Sequence, residues 1–572
     1  MRRPLVGGPS TVLTSLALAG VLIGLLSACA GVPTEGPIVQ GPAVAAGGQD
    51  QFIRVIARPP EIGMSPEEIV RGFQEATASP DAGYTIARQF LAPTVAAAWD
   101  PSIGVLVGDN AGLTYSRHDQ VVVAEGGLSG SIDGSGQYTA AVPGARLVSS
   151  YGVVKFAGEW RISSLPPGLV LGPGDIDRGF RTFNLYYFTR DFEVLVPAPV
   201  VVPLSGSGLA TQLVRDLLAG PTEWLAPAVR TAFPEGTALA LDSVPIVEGV
   251  ADVALTPEIL TADDATRQAL SAQLVWTLRQ LPEISAVRLR VNGQPVPVAG
   301  AIAPQPVESW ARFDPNALSD SALAYADSRK GLIAIGLEGA LSAVGRSKPG
   351  LLQHAISLDS TRLAGLSGDR KSVWTADLIP GAIATRRYTG LSLSRPSWDR
   401  SGGLWVVDRG RGLVLITDTT KVLVPVTGLP EGVADKDIVA VAVARDGTRM
   451  ALLLRRGTLV EPMIARVERS ADDVKVAAPR RIDSIVTEAV DLAWLDAGTL
   501  VVLGTSGASA LEVLQFDTGT SRVRRSGSIE GSVTIAAAPG RAVLIGTVKN
   551  LYRSSGSSWS ILAAGSNPVY PG

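Results

Sequence analysis

The chain of 572 residues carries few side chains suited to nucleophilic or metal chemistry: one Cys, Cys29, and two His, His118 and His354. That inventory excludes an intrachain disulfide framework and a Cys-based zinc site. His118 lies in a polar turn, Ser116-Arg117-His118-Asp119. A neighbouring Asp could orient an imidazole, but no nucleophile accompanies it, so it reads as a surface His. His354 sits in an apolar run and reads as a buried His with its hydrogen bonds satisfied. The paired carboxylates Glu67-Glu68, Asp263-Asp264 and Asp472-Asp473 match helix starts or loops. Adjacent residues do not face one another on a helix, so these pairs make poor acid/base dyads. No Gly-x-Ser-x-Gly elbow, Walker loop, His-Glu-x-x-His, EF-hand loop or dinucleotide fingerprint is present. The expectation is no catalytic residue, no metal, no cofactor and no enzyme. Carboxylates distant in sequence that meet on one face stay open as a glycosidase pair.

Cys29 is the exception. Arg2 and Arg3 precede an apolar run from Thr11 to Leu26, and no further charge occurs before Glu35. Sixteen residues are short for a membrane span, which needs about 20, and the pattern is that of a signal peptide. The run ends in Leu26-Ser27-Ala28-Cys29, which resembles the bacterial lipobox. The resemblance implies cleavage after residue 28 and an S-diacylglycerol, N-palmitoyl Cys29. Acyl chains contribute about 0.8 kcal/mol per buried CH₂, enough to hold the chain on a membrane. The implied location is the extracytoplasmic face of the cell membrane. Residues 29–60 read as the lipidated start and a Gly/Pro/Ala-rich tether.

The composition is 46% apolar and 18% charged, with 62 Gly and 39 Pro, which excludes a largely disordered chain. Charge is unevenly placed. Cys29 to Ser309 holds 17 Lys and Arg against 28 Asp and Glu; Trp310 onward holds 31 against 25. The first part is acidic and the last mildly basic. Solvated faces of separate domains explain this most simply; the sharper reading is that the basic part meets an anionic surface. No Lys/Arg run argues for nucleic acid.

The length predicts about three domains. Ser65-Pro66-Glu67-Glu68 is a capping box with Pro at the first helical position, and Ile69, Phe73 and Ala76 form an apolar stripe. Tyr84 to Leu91 predicts a second short helix. Strand-like runs follow at Ser102–Val107, Gln120–Ala124, Gln137–Val142, Val153–Phe156 and Trp160–Ile162. Helices before strands is an α+β order, and residues 61–175 resemble NTF2-like or cystatin-like domains, which often hold a pocket between sheet and helix. Nothing polar and convergent marks such a pocket here, and its apolar residues read as core.

Phe183 to Leu204 is strand-like but broken by Pro197, Pro199 and Pro203, which demotes it to an edge. Helices are predicted from Leu209 to Ala219 and from Asp263-Asp264 to Pro282, with strands at Thr237–Val247, Ala251–Leu255 and Val287–Val291, and a turn at Asn292-Gly293. Leu-Leu-Ala-Gly-Pro (217–221), Ala-Asp-Val-Ala-Leu (251–255), Gln273–Leu278 and Val287–Pro295 resemble the GerMN domain of sporulation and germination proteins. Residues 176–300 are assigned to it.

From 310 to 572 short strands repeat. Turn anchors at Asp327, Asp359, Asp399, Asp446, Asp496 and Pro539 each precede an apolar strand, at spacings of 32, 40, 47, 50 and 43. A four-strand unit of this size predicts an all-β propeller of about six blades; a sandwich or solenoid is the alternative. Trp398-Asp399 is similar to the WD dipeptide, though a core Trp beside a turn Asp accounts for it. Trp374, Trp405 and Trp494 read as packing between blades.

The order of lipobox, NTF2-like module, GerMN module and propeller resembles the LpqB lipoprotein family of actinobacteria along nearly the full length. Gly158–Ile162 followed by Leu165-Pro166-Pro167-Gly168 looks like the family's closure of the first domain. The resemblance implies an accessory lipoprotein that binds the extracytoplasmic domain of an MtrB-like sensor histidine kinase and modulates an MtrAB-type two-component system, with effects on envelope homeostasis and division. It carries over one residue, Cys29. A ligand-binding envelope lipoprotein and a propeller enzyme acting on wall glycans are the alternatives.

Overall fold

The computed structural model describes residues 57–572 except 80–81, 109–111, 205–207, 330, 337–340, 346–349, 471–472, 484, 508–509, 521 and 557. Cys29, the leader and the tether lie outside the described residues, as does Asp472.

The first module opens with α1 (Pro66–Thr77). Ser65 Oγ accepts from the Glu68 amide at 3.2 Å and the Glu68 carboxylate accepts from the Ser65 amide at 2.7 Å, the reciprocal cap that the sequence predicts. The expected second helix is one turn, Thr85–Arg88, because Tyr84 enters it in the left-handed region at φ 55°. Seven strands follow, centred on Val121–Asp133, which pairs with 104–108, 114–118, 138–140 and 146–156. All pairs are antiparallel except Gly104–Gly108 with Leu169–Leu171. Ile69, Val70 and Phe73 of α1 pack on the sheet with Trp99, Tyr151, Val153 and Ile162.

In the second module the run 183–204 is two strands, Phe180–Thr189 and Leu195–Pro203, paired antiparallel. The charged segment Arg190-Asp191 makes the turn that the apolar count obscured. Leu195–Pro203 is an edge of its three-stranded sheet, as the prolines imply. Its outward amide positions are Pro197, Pro199, Val201 and Pro203. Three of them have no N–H, and the Val201 amide donates to Gly136 O of the first module at 2.8 Å. Gly136 has φ +78°, and a Cβ there would lie 2.9 Å from Val201 O, so glycine permits this approach.

Helices α2 (Leu209–Ala219) and α3 (Asp264–Leu278) are as predicted. α3 is the crossover between the parallel strands Val250–Leu255 and Ala286–Val291. Its C-terminal two-thirds is buried all round, and Gln273 there is satisfied, bonding Tyr186 O at 2.8 Å and the Ala232 amide at 2.7 Å. The expected strand Thr237–Val247 reduces to a bridge at Leu239 and a pair at Ile246–Val247. Its middle is drawn to α2, where the Val244 amide donates to Thr211 Oγ1 at 2.9 Å. A strap then leaves the module. Trp310 and Phe313 remain in its core, and Phe313 meets Phe188 edge-on at 4.9 Å.

The third module is a propeller of six four-stranded blades. The anchors Asp359, Asp399, Asp446, Asp496 and Pro539 all fall between the first and second strands of blades two to six. The Asp carboxylates close that turn, as at Asp446, which accepts from the Thr448 amide at 2.8 Å. Asp327 is out of phase with them. Blade one takes its innermost strand from Ser566–Val569, so Ala324–Ser328 is its second strand. This is why the first spacing is short. Trp398, Trp405 and Trp494 are buried, with indole N–H groups on Ala355 O, the Asp399 carboxylate and Ala442 O. Trp374 is half-buried beneath Arg386.

Asp327 latches the ring shut. Its Oδ1 lies 2.5 Å from His354 Nδ1, and its Oδ2 accepts from the Gln353 amide at 3.0 Å and Asn567 Nδ2 at 2.7 Å. Blade one, blade two and the closing strand therefore meet on one buried carboxylate. Asp327→Ala strands the buried His354 imidazole and two half-buried donors, and urea unfolding is expected to show a loss of about 3 kcal/mol. A loss below about 1 kcal/mol would show that the latch is dispensable.

Candidate ligand cavity and the body that carries it

A cavity of about 810 Å³ lies beside α1 in the first module. Arg71, Gln74, Glu75 and Ala78 project into it at helical spacing, facing Tyr115 of the strand Thr114–His118. Arg58, Glu61, Asp175 and Arg178 complete its rim. Tyr115 OH donates to Gln74 Oε1 at 2.5 Å, and Gln74 Nε2 donates to Tyr151 OH at 3.1 Å. Burial pushes both phenols up to about 12, so both stay protonated and neutral. The Arg71 guanidinium sits 5.1 Å over the Tyr115 ring. Gly72 leaves room for Phe90, whose ring would lie 2.6 Å from a Cβ.

The lining mixes polar and charged groups of both signs with apolar ones such as Met64, Phe90 and Leu113, where the sequence suggested only core. The signal was the Arg71/Gln74/Glu75 stripe beside the apolar stripe of the same helix. Such a cavity suits a small polar or zwitterionic molecule. His118 is exposed at the far end of the Tyr115 strand, outside the lining. Of the paired carboxylates, Glu68 and Asp263 cap helices. No group of three or more potential metal ligands occurs among the described residues.

The modules meet around Trp224 of the second. Its indole N–H donates to Ala478 O of blade four at 2.7 Å. The Arg480 guanidinium stacks on it at 4.1 Å, and Arg466 donates to its carbonyl at 2.9 Å. Nearby, Gln137 of the first module bonds Thr222 at 3.0 Å, and Asp177 pairs with Arg522 of blade five at 2.6 Å. Burial drives the Arg480 pKa down to about 10, which leaves it charged at neutral pH.

The propeller channel is narrow, about 70 Å³, and lined by the inner strands with Arg395, Arg445 and residues 568–572. Arg445 donates to Pro571 O. The carboxylate beside the channel, Asp491, is ion-paired to Arg395 at 3.0 Å and accepts from the Ile535 amide. A convergence of carboxylates, which glycan cleavage would need, is not seen among the lining residues. Within blade four, Glu461 binds Arg456 and Arg481. Burial, assisted by Glu461, raises the nearby Asp483 to about 6.

An α+β module, a GerMN-like module and a six-bladed propeller fused into one body define a class of multimodule protein. Three family models match in that order: "Lipoprotein LpqB, N-terminal domain" over residues 59–177, "Sporulation and spore germination" over 184–297, and "Lipoprotein LpqB beta-propeller domain" over 336–571. The chain belongs to the LpqB lipoprotein family. It is 32% identical to a lipoprotein LpqB of Thermobifida fusca, across 99% of this chain and 100% of that one. A Streptomyces coelicolor relative is 30% identical over 97% of each chain. Among solved structures, the first GerMN domain of the sporulation protein GerM from Bacillus subtilis is 26% identical, covering 22% of this chain and 96% of that one, with a TM-score of 0.19.

Asp483 provides a pH test. Its native pKa lies above the unfolded value of 3.8. The native state therefore holds a proton that the unfolded state releases, and stability falls as pH rises from about 4 to about 6. Asp483→Asn is expected to remove this slope and to gain roughly 3 kcal/mol over wild type at pH 7. Parallel unfolding curves for the two proteins at pH 4 and 7 would check it; equal slopes would refute the buried, protonated Asp.

Proposed function

We propose that this protein is an extracytoplasmic lipoprotein, held on the cell membrane through acylated Cys29, that binds the extracytoplasmic domain of an MtrB-like sensor histidine kinase. Binding tunes the kinase's signal to its response regulator, in envelope homeostasis and division. The protein needs no catalysis of its own for this role. The observation that carries the reading is the fusion of three modules around Trp224, in a chain of the LpqB family. A rigid body presents a broad propeller face without the entropy cost of ordering separate modules at each encounter. Confinement beside a membrane kinase raises effective concentration, so modest affinity suffices.

The open cavity beside α1, with charged groups of both signs in its lining, favours a second reading, in which a small polar ligand is the stimulus. The wall-glycan enzyme draws less support, given the ion-paired Asp491 and the Arg-lined channel.

Two measurements test the proposal. Cys29→Ala is expected to shift the protein from the membrane fraction to the soluble fraction after a high-salt wash; retention would refute lipid anchoring. Chain beginning at Gly31 is expected to capture the purified kinase sensor domain, more weakly at high salt. Absence of capture at low salt would remove the partner and leave the ligand reading.

A further inference from the structure

The propeller has two faces. The second module docks on the face built from turns between first and second, and third and fourth, strands. There the Ala497 amide meets Asn316, Arg541 meets Ser319 O, and Gly519 abuts Pro199. The opposite face is built from the other turns and is free of these contacts. Three arginines from adjacent blades gather on it. Arg370 lies in the turn after Arg362–Leu366, Arg409 follows Leu404–Asp408, and Arg455 ends Arg449–Arg456.

Their setting brings them together. Arg370 Nε donates to Leu393 O at 3.2 Å, and its carbonyl accepts from the Leu393 amide. The Arg409 amide donates to Ser392 O at 2.9 Å, and its guanidinium reaches Val439 O at 3.5 Å. Arg455 follows Leu454, which pairs with Ile438. All three thus surround the segments 391–393 and 438–439. Arg409 and Arg455 are exposed, and Arg370 is half-buried. The pKa of Arg409 is lowered by partial burial and then by the charges of Arg370 and Arg455.

None of these three arginines is ion-paired to a carboxylate among the described residues. Among the described residues, Asp408 is taken by Tyr388 at 2.9 Å, the Leu391 amide at 2.8 Å and Arg411 at 3.3 Å. Asp369 closes its own turn with Ser367 and the Lys371 amide. Glu461 belongs to Arg456 and Arg481. Leu391, 55% exposed, adds apolar surface at the centre.

We propose that Arg370, Arg409 and Arg455 form a binding site for an acidic protein segment, seating its Asp and Glu carboxylates across blades two to four. Guanidinium forks suit carboxylates in pairs. Asp369, Asp435 and Asp437 lie in turns of the same face, so a narrow ligand fits it better than a flat anionic bilayer. The inference rests on the partner-binding reading and adds the surface and chemistry of the contact.

The test uses the full chain in neutral detergent, as wild type and as Arg370→Gln/Arg409→Gln/Arg455→Gln. Three probes are titrated at two salt concentrations: an oligoglutamate peptide, the purified kinase sensor domain, and short-chain phosphatidylglycerol below its micellar concentration. Wild type is expected to bind peptide and domain in a salt-sensitive way, and the triple variant about tenfold or more weaker. Equal binding of the sensor domain by both proteins overturns the inference while leaving the proposed function intact. Loss of peptide binding in the variant, with no domain binding by wild type, sustains the acidic-segment site and sinks the kinase partner. Peptide binding unaffected by the variant, or lipid bound in place of peptide, overturns the site. Should the triple variant unfold, the exposed single change Arg409→Glu gives the same reading.

Discussion

The body depends on one indole. Trp224 lies outside every strand and helix of its own module, yet it is sandwiched between modules: N–H on a blade-four carbonyl, ring under Arg480, carbonyl on Arg466. Two buried or half-buried guanidiniums need acceptors or a π face, and the Trp224 segment supplies both. The neighbouring edge strand Leu195–Pro203 extends the junction. Gly136 approaches it from the first module and Gly519 from the propeller, each too close for a side chain. The modules are therefore joined by backbone proximity and shaped contacts rather than by a broad apolar seam.

Much of the fold was legible because its signals are local. The Ser65–Glu68 cap, the apolar stripe of α1, α2 and α3, the turn at Asn292-Gly293 and the Asp-bearing blade turns are each specified within a few residues. The edge placement of the Pro-rich strand was legible for the same reason. What the sequence hid was non-local. The turn at Arg190-Asp191 lies within an otherwise apolar run. The pull of α2 on Val244 breaks a strand that looks continuous. The phase of Asp327 depends on a strand some 240 residues away.

The sites follow the same division. His354 reads as structural from its apolar surroundings, and its partner Asp327 confirms the logic of a buried imidazole satisfied by a carboxylate. The cavity was harder to see, since Tyr115, Tyr151 and Asp175 reach α1 from three separate elements. The arginines of the outer face come from three different blades, and no sequence window contains two of them. Cys29 lies outside the described residues, and the proposal that it is lipidated rests on Leu26-Ser27-Ala28-Cys29.

The closing strand also sets an order of assembly. Ala324–Ser328 precedes Ser566–Val569 by some 240 residues, so one of its edges stays unpaired until the last strand of the chain is in place. The earlier modules have no such delay, for their strands find partners within a short stretch of chain. A chain stalled before residue 566 would carry an open sheet edge, the kind of surface that recruits strands from other molecules. The seal at Asp327 is thus a checkpoint on completeness as much as a bond in the finished protein.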